Sequence, residues 1–357
     1  MIWTSLLLVL TSYVFEIPLV FGKLSAYKAY EKYKYKYKLH FGPDEDARRL
    51  KIFRKTLAHI RRVNAKNYTF KLGITEFAAL TDEEFTDRLV CNDGISPKTG
   101  KMINPNSTEG ILHKNRLRKL APPAKVDWRA AGAVTPVRKQ NGCGCCYAMA
   151  TTEATEGIFQ IKKKKLVDLS VQQIVDCSSS FGNEGCKGGF QVNSYHYIEE
   201  RGIVKESSYP YKAVAGTCQT KITQDVHKQC LRPGDLVGWW PIKEGDLEEM
   251  LEGVAQQPVS AILNAYPADF KSYTGGIYKS DACPSSKTSH SVLITGYGED
   301  DKGIKYWEFK NSWGEDWGMK GYGRIIRGKG GDGECGILRQ AYYPLLAEEL
   351  DPGEECV

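Results

Sequence analysis

The feature that most constrains this chain is a stretch of eight residues, Gln140-Asn141-Gly142-Cys143-Gly144-Cys145-Cys146-Tyr147. After it comes Ala148-Met149-Ala150-Thr151-Thr152-Glu153-Ala154, with no Gly or Pro until Gly157, so a helix is expected to open at the cysteine pair. The first N–H groups of a helix lack intrahelical partners, and the positive end of its dipole is presented there. Both favour thiolate over thiol, which places Cys146 to act as a nucleophile. For a single cysteine in a secreted chain, a buried or bridged structural role is the plainer reading. Cys143, Cys145 and Cys146 can also be read together as soft-metal ligands. The choice depends on whether a base and an orienting group stand elsewhere in the sequence.

Both do. Of the six histidines, His40, His59 and His113 lie before Pro122, and His196 and His227 lack a matching context. His290, in Ser289-His290-Ser291-Val292, follows Cys146 by 144 residues. Asn311, in Lys310-Asn311-Ser312-Trp313-Gly314, follows it by 165. An amide oxygen can accept from an imidazole and fix its orientation without removing its charge, and Trp313 would shield that bond from water.

These motifs resemble the nucleophile, base and orienting sites of papain-family cysteine proteases. Cys143-Gly144-Cys145-Cys146-Tyr147 departs from the family pattern at Cys145, where Ser or Ala is usual, and Tyr147 stands where Trp is commonest. Ser289 often corresponds to Asp. The resemblance implies catalysis by Cys146, His290 and Asn311, with Gln140 and the Cys146 backbone N–H forming an oxyanion hole. It implies that Gly188 and Gly189 lend backbone to an extended peptide, that Phe190, Gln191, Ile262, Ser291 and Gln340 line the P2 pocket, and that Trp313 borders the site. It pairs Cys143 with Cys186, Cys177 with Cys218 and Cys283 with Cys335. Cys91, Cys145, Cys230 and Cys356 stay without a partner, and Cys145 is either inert or able to trap Cys146 as a vicinal disulfide.

Upstream, Glu45, Arg49, Phe53, Ile60 and Asn64 share one helical face. They resemble the interspersed pattern of papain-like inhibitory propeptides, with Thr56 replacing an Asn. Gly73, Phe77 and Leu80-Thr81-Asp82-Glu83-Glu84-Phe85 resemble its second motif, with Thr75 and Ala79 replacing Asn and Asp. Tyr30 to Lys38 alternates ring and charge, which taken locally fits an edge strand or a solvated amphipathic segment. Residues 92–123 carry breaker signals and read as an exposed connector suited to proteolysis.

Charge separates the same two parts. Through Ala121 there are 22 Lys+Arg against 12 Asp+Glu, and from Pro122 there are 27 against 31. Opposite signs suit an intramolecular pair better than nucleic-acid binding. Residues Ile2 to Phe21 form an apolar run read as a signal peptide cleaved near Gly22, rather than as a membrane anchor. Eleven cysteines then suggest disulfides, with an odd thiol left over. Asn67 and Asn106 stand in glycosylation sequons.

Helix-type sequence up to about Leu231 gives way to short apolar runs such as Val259 to Leu263, Ser291 to Ile294 and Tyr306 to Phe309. The expected fold is α+β: a two-lobed papain-like enzyme, with a helical left lobe and an antiparallel β-barrel-like right lobe, preceded by a mainly helical inhibitory propeptide. The expected division is signal peptide 1–22, propeptide with connector 23–121, peptidase 122–345 and acidic tail 346–357. The expected protein is a monomeric zymogen of the secretory pathway, extracellular or lysosomal/vacuolar, acting on peptide and protein substrates with hydrophobic or aromatic P2. Its partner is its own propeptide, and no cofactor, metal, nucleic acid or stable membrane anchor is expected. Two competing classes remain: a catalytically silent relative with a binding or storage role, and a thiol redox or metal protein built on the cysteine cluster.

Overall fold

The structure is a computed structural model that describes residues 25–89, 102–104, 107, 113, 121–328 and 330–356. The apolar run expected to be a signal peptide, Cys91 and Asn106 lie outside the described residues, whereas Asn67 is exposed.

Residues 25–37 are helical (α1), so the strand reading of the tyrosine-lysine alternation fails. Tyr30, Tyr33 and Tyr37 recur at helical spacing, which brings three rings to one face while Tyr35 stays 89% exposed. Helix α2 (Pro43–Asn64) opens with Pro in its first turn and with Asp44, Glu45 and Asp46 at its positive end. Phe53 on its buried face packs against Tyr30 and Tyr33, with ring centroids 5.4 and 5.1 Å away. Ala78 and Ala79 complete this small core. Strand β1 (Phe70–Leu72) and helix α3 (Asp82–Leu89) follow. Asn64 clamps the Leu72 backbone, donating from Nδ2 to its carbonyl at 2.7 Å and accepting from its N–H at 2.9 Å.

The downstream part has two cores. In the helical lobe, α4 (Cys146–Lys163), α5 (Val171–Cys177) and α6 (Gln191–Arg201) enclose one apolar cluster. Helix α4 is buried on every side from Cys146 to Phe159, because it packs against α6 and against strands of the other lobe. Lys164, at φ 57°, stops it in a left-handed turn. Ser170 caps α5, its Oγ accepting from the Gln173 N–H at 3.0 Å. A short pair, β3 (Ile203–Val204) with β4 (Gln229–Leu231), closes this lobe.

The second core lies under the main sheet and helix α7 (Leu247–Gln256). Its strands are β2 (Val126–Asp127), β5 (Leu236–Ile242), β6 (Val259–Leu263), β7 (Tyr273–Tyr278), β8 (His290–Glu299), β9 (Lys305–Lys310), β10 (Tyr322–Ile326) and β11 (Ala341–Leu346). The order is β1-β7-β10-β9-β8-β6-β11-β5, with β2 added beside β8. Two features differ from an antiparallel barrel: β7 and β10 run parallel, and among the described residues the path ends at β1 and β5 without closing. The parallel pair arises because β8 and β9 intervene in sequence before β10 comes to lie beside β7. Strand β1, from the N-terminal segment, is thus a member of the main sheet.

Disulfides join Cys143–Cys186, Cys177–Cys218 and Cys283–Cys335. A fourth, Cys230–Cys356, spans 126 residues and lashes the C-terminal tail to β4. Arg232 also pairs with Asp351, and Ser208 Oγ donates to Glu355 at 2.6 Å, so the tail lies along the helical lobe. The 92–123 connector is not wholly exposed either. Ile103 is buried and its N–H donates to the Trp239 carbonyl at 3.0 Å, while His113 Nε2 lies 2.9 Å from Tyr343 Oη.

Candidate active site

The lobes meet where α4 begins. Cys146 is its first residue and is 1% exposed, and its Sγ accepts from the Ser291 N–H at 3.2 Å. Ser291 follows His290 at the start of β8, so this bond ties the helix start of one lobe to the strand start of the other. Cys146 is itself disulfide-bonded, which differs from the free thiolate expected of a nucleophile. Its neighbour Cys145 is the free cysteine among the described residues, so no 145–146 bridge forms. Cys145 is buried, with Sγ 3.0 Å from Tyr211 Oη, and burial pushes its thiol up to about 12. It is held as a neutral thiol beside Tyr211.

His290 Nε2 lies 2.8 Å from Asn311 Oδ1. The Trp313 ring covers the pair at 4.6 Å between ring centroids. Burial lowers the His290 pKa to about 4, against the smaller raising effects of Asn311 and the Leu89 backbone. Gln140 is fully buried; its Oε1 accepts from Ser312 Oγ at 2.8 Å, and its Nε2 donates to the Cys143 carbonyl at 2.9 Å. The same Nε2 reaches the Leu89 carbonyl of the propeptide at 3.4 Å. The carbonyl of Leu89 therefore lies against the amide expected from the sequence to receive a peptide carbonyl. Gly144 permits close packing beside this donor, since a Cβ there would stand 2.8 Å from the Cys186 carbonyl oxygen.

The remaining predicted residues divide between the lobes. Gly188 and Gly189 lie in the loop after Cys186, with Gly188 at φ 133°, and Phe190 caps α6 and is half-buried. Gln191 points across the lobe boundary, its Nε2 3.4 Å from the Ala261 carbonyl. Ile262 and Ser291 are cross-strand partners in β6 and β8, and the Ile262 N–H donates to the Gln340 carbonyl at 2.9 Å. Phe77 and Phe85 of the propeptide pack edge-on against Trp313 at 5.6 and 5.2 Å, so the propeptide seals the Asn311 side of the site.

Sequence reading missed the support beneath. Lys310, next to Asn311, is fully buried and pairs with Glu153 of α4 at 2.8 Å. Arg138 pairs with Glu153, Glu156 and Asp168, and Thr135 Oγ1 donates to Glu156 at 2.6 Å. This buried network fixes the helix carrying Cys146 against the strand leading to Asn311. The available signal was the helical spacing of Glu153 and Glu156 on an otherwise apolar helix.

Comparison with known proteins agrees with the geometry. The family model described as papain family cysteine protease matches residues 122–345, and that of the cathepsin propeptide inhibitor domain (I29) matches residues 30–85. Vignain of Ricinus communis is 36% identical over 332 residues, covering 92% of this chain and 88% of that protein. A cathepsin L-like proteinase of Phaedon cochleariae is 37% identical over 309 residues, covering 85% and 88%. Among solved structures, digestive procathepsin L 3 of the Tenebrio molitor larval midgut superposes with a TM-score of 0.76 at 33% identity, covering 90% of this chain and 99% of that one.

Proposed function

Since this chain belongs to the papain family of cysteine proteases and carries an I29 propeptide, we propose that it is an endopeptidase zymogen that cleaves peptide bonds through a thioester on Cys146. The observation that carries this reading is the convergence on one point of the α4 helix start, the His290–Asn311 hydrogen bond and the Gln140 amide.

Once reduced and uncovered, Cys146 gives its proton to His290, and the thiolate is held by the helix start and the Ser291 N–H. It attacks the peptide carbonyl. The oxyanion is received by Gln140 Nε2 and the Cys146 backbone N–H, where a single donor is worth ~2.7–4 kcal/mol to the transition state. His290, oriented by Asn311, protonates the leaving amine and then activates water to hydrolyse the thioester. Gly188 and Gly189 supply backbone to an extended substrate, and Trp313 borders the leaving-group side. Phe190 and Ile262 make the P2 pocket apolar, while Gln191, Ser291 and Gln340 add polar groups without charge. A buried apolar wall rewards each P2 methylene by about 0.8 kcal/mol and gives an Arg no compensation for lost water. Hydrophobic or aromatic P2 side chains are therefore preferred. Disulfides and exposed Asn67 suit a secretory route ending outside the cell or in a lysosome or vacuole.

One experiment tests roles and preference together. Fully reduced, acid-processed wild type, Cys146→Ala and Cys145→Ser are assayed on matched fluorogenic dipeptides with Leu, Phe or Arg at P2. Cys146→Ala should lose on the order of 10⁴-fold or more. Cys145→Ser should stay within about tenfold, a difference of ~1.4 kcal/mol. Wild type should favour Leu and Phe. Equal losses from both substitutions, or an Arg-preferring enzyme, would overturn the assignment.

A further inference from the structure

Gln140 is gripped from both lobes. On the sheet side, in the loop after β9, its N–H donates to the Ser312 carbonyl at 2.8 Å and its Oε1 accepts from Ser312 Oγ at 2.8 Å. On the helical side its carbonyl accepts from Tyr211 Oη at 2.8 Å and from the Cys143 N–H at 3.2 Å. Tyr211 is itself anchored. Its N–H donates to Glu206 Oε1 at 2.6 Å, and the next N–H, of Lys212, donates to Gln172 Oε1 at 2.7 Å. A phenol has one proton to give. With that proton on the Gln140 carbonyl, the 3.0 Å contact between Tyr211 Oη and Cys145 Sγ is a bond donated by the thiol. Burial keeps Cys145 protonated and so able to donate. The result is a directional chain from Cys145 S–H to Tyr211 O–H to the Gln140 carbonyl, in which each member fixes the rotor of the next.

We propose that Tyr211 is a positioning residue for the oxyanion hole, acting through the Gln140 backbone, and that the Cys145 thiol sets the direction of its hydrogen bond. This rests on the reading of Cys146 as nucleophile and Gln140 as oxyanion donor. The physical reason lies in the Gln140 amide. Its Oε1 is committed to Ser312, so the aim of Nε2 is set by where the backbone of residue 140 stands. An oxyanion donor acts best when held about 2.7–3.1 Å from the developing charge. A backbone anchored from the Ser312 side alone would let Nε2 drift as the substrate carbonyl turns tetrahedral. Tyr211 supplies the anchor on the other lobe. The chain also gives the thiol at position 145 a task, since an Ala there has no donor and a Ser, with its shorter bond to oxygen, reaches the phenol less closely. Because the oxyanion exists only in the transition state, loss of this anchor falls on kcat rather than KM.

The test compares wild type, Tyr211→Phe, Cys145→Ala, Cys145→Ser, Gln140→Ala and the Gln140→Ala/Tyr211→Phe double variant, each processed at acid pH with dithiothreitol and desalted. Three readings are taken. The first is kcat and KM on a fluorogenic dipeptide. The second is inhibition by a peptide aldehyde, whose thiohemiacetal places an oxyanion in the hole. The third is the rate of Cys146 alkylation by iodoacetamide, which needs the thiolate but no oxyanion. Tyr211→Phe should lower kcat about five- to tenfold and weaken the aldehyde by a similar factor, with KM and the alkylation rate within about twofold. Cys145→Ala should show the same pattern at about threefold, and Cys145→Ser should recover most of it. This second pair carries the test if Tyr211→Phe fails to fold. On the Gln140→Ala background Tyr211→Phe should add less than about twofold, because no amide is left to aim. Losses that multiply in the double variant, an unchanged kcat in Tyr211→Phe, or alkylation slowed as much as hydrolysis would overturn the positioning role. Wild-type hydrolysis that survives complete alkylation of Cys146 would instead overturn the reading of Cys146 as nucleophile.

Discussion

The propeptide and the support beneath the cleft are both held by arginine, lysine and carboxylates, yet the two sets of charges sit in opposite surroundings. In the propeptide, Arg49 is buried, but its partners Glu84 and Glu45 have side chains 21% and 40% exposed. Under the cleft the charges are withdrawn from water: Lys310, Glu153 and Glu156 are all buried. Solvated pairs are weak, screened by salt and easily reversed. Buried pairs add little net stability over apolar packing, but losing one partner strands a charge. One region is built to let go, and the other to hold two lobes in register.

The sharpest way to break this contrast is Lys310→Met, which leaves Glu153 buried with Arg138 as its remaining cation. The peptidase domain should lose about 3–5 kcal/mol, read as a lower urea midpoint. A change below about 1 kcal/mol would show that the network is not a mutual constraint. Next comes Arg49→Ala, which removes the bonds to Glu84, Glu45 and the Ala79 carbonyl. Hydrogen bonds to charged groups contribute ~1.5–3 kcal/mol each, so a 23–121 fragment carrying this change should inhibit the mature enzyme at least about tenfold less well. Arg48→Ala, at an exposed pair with Glu84, should change inhibition by less than about 1 kcal/mol.

The remaining effect is graded with pH. In the covered cleft His290 has a pKa lowered from 6.5 to about 4, so covering favours its neutral form. Propeptide affinity should therefore be full above 6.5, fall as pH drops from there to about 4 by at most about tenfold per unit, and then level. Glu84 responds in the same direction but at lower pH: Arg49 holds its pKa down at about 2, so its contribution is present above 4.5 and is lost as pH falls toward 2. Between 6.5 and 4.5 the histidine responds while the arginine clamp holds. Affinity measured by inhibition of the reduced enzyme across this range checks it, and a flat profile down to 4.5 would remove His290 as the responsive group.

The sequence carried the site further than the scaffold. Cys146, His290, Asn311 and Gln140 stand in short motifs whose chemistry is legible residue by residue, and the fold brings them together. The 43- and 41-residue bridges Cys143–Cys186 and Cys177–Cys218 follow from the resemblance. Cys230–Cys356 does not, because no spacing links residues 126 apart when the second lies in a tail outside the family pattern. Residues 25–37 misread because alternating Tyr and Lys satisfies a period of two over any short window, while the burial of Tyr30 and Tyr33 depends on Phe53 in the next helix. The Lys310–Glu153 contact is hard to read for the same reason: it is long-range, and only the helical spacing of Glu153 and Glu156 hints at a buried partner.

The sheet order has a consequence for life after maturation. Residues upstream of Pro122 hem both outer sides of the sheet: β1 pairs along β7, and Met102 and Ile103 pair with Trp239 of β5. Removing them turns two finished margins into rows of unanswered N–H and C=O groups at Tyr273 to Tyr278 and beside Trp239, the template on which one chain adds to another. Gly276, at φ 83°, bends the first margin, and Pro241 interrupts the second. Release of these upstream segments would thus leave the downstream part with two open sheet margins that only Gly276 and Pro241 interrupt.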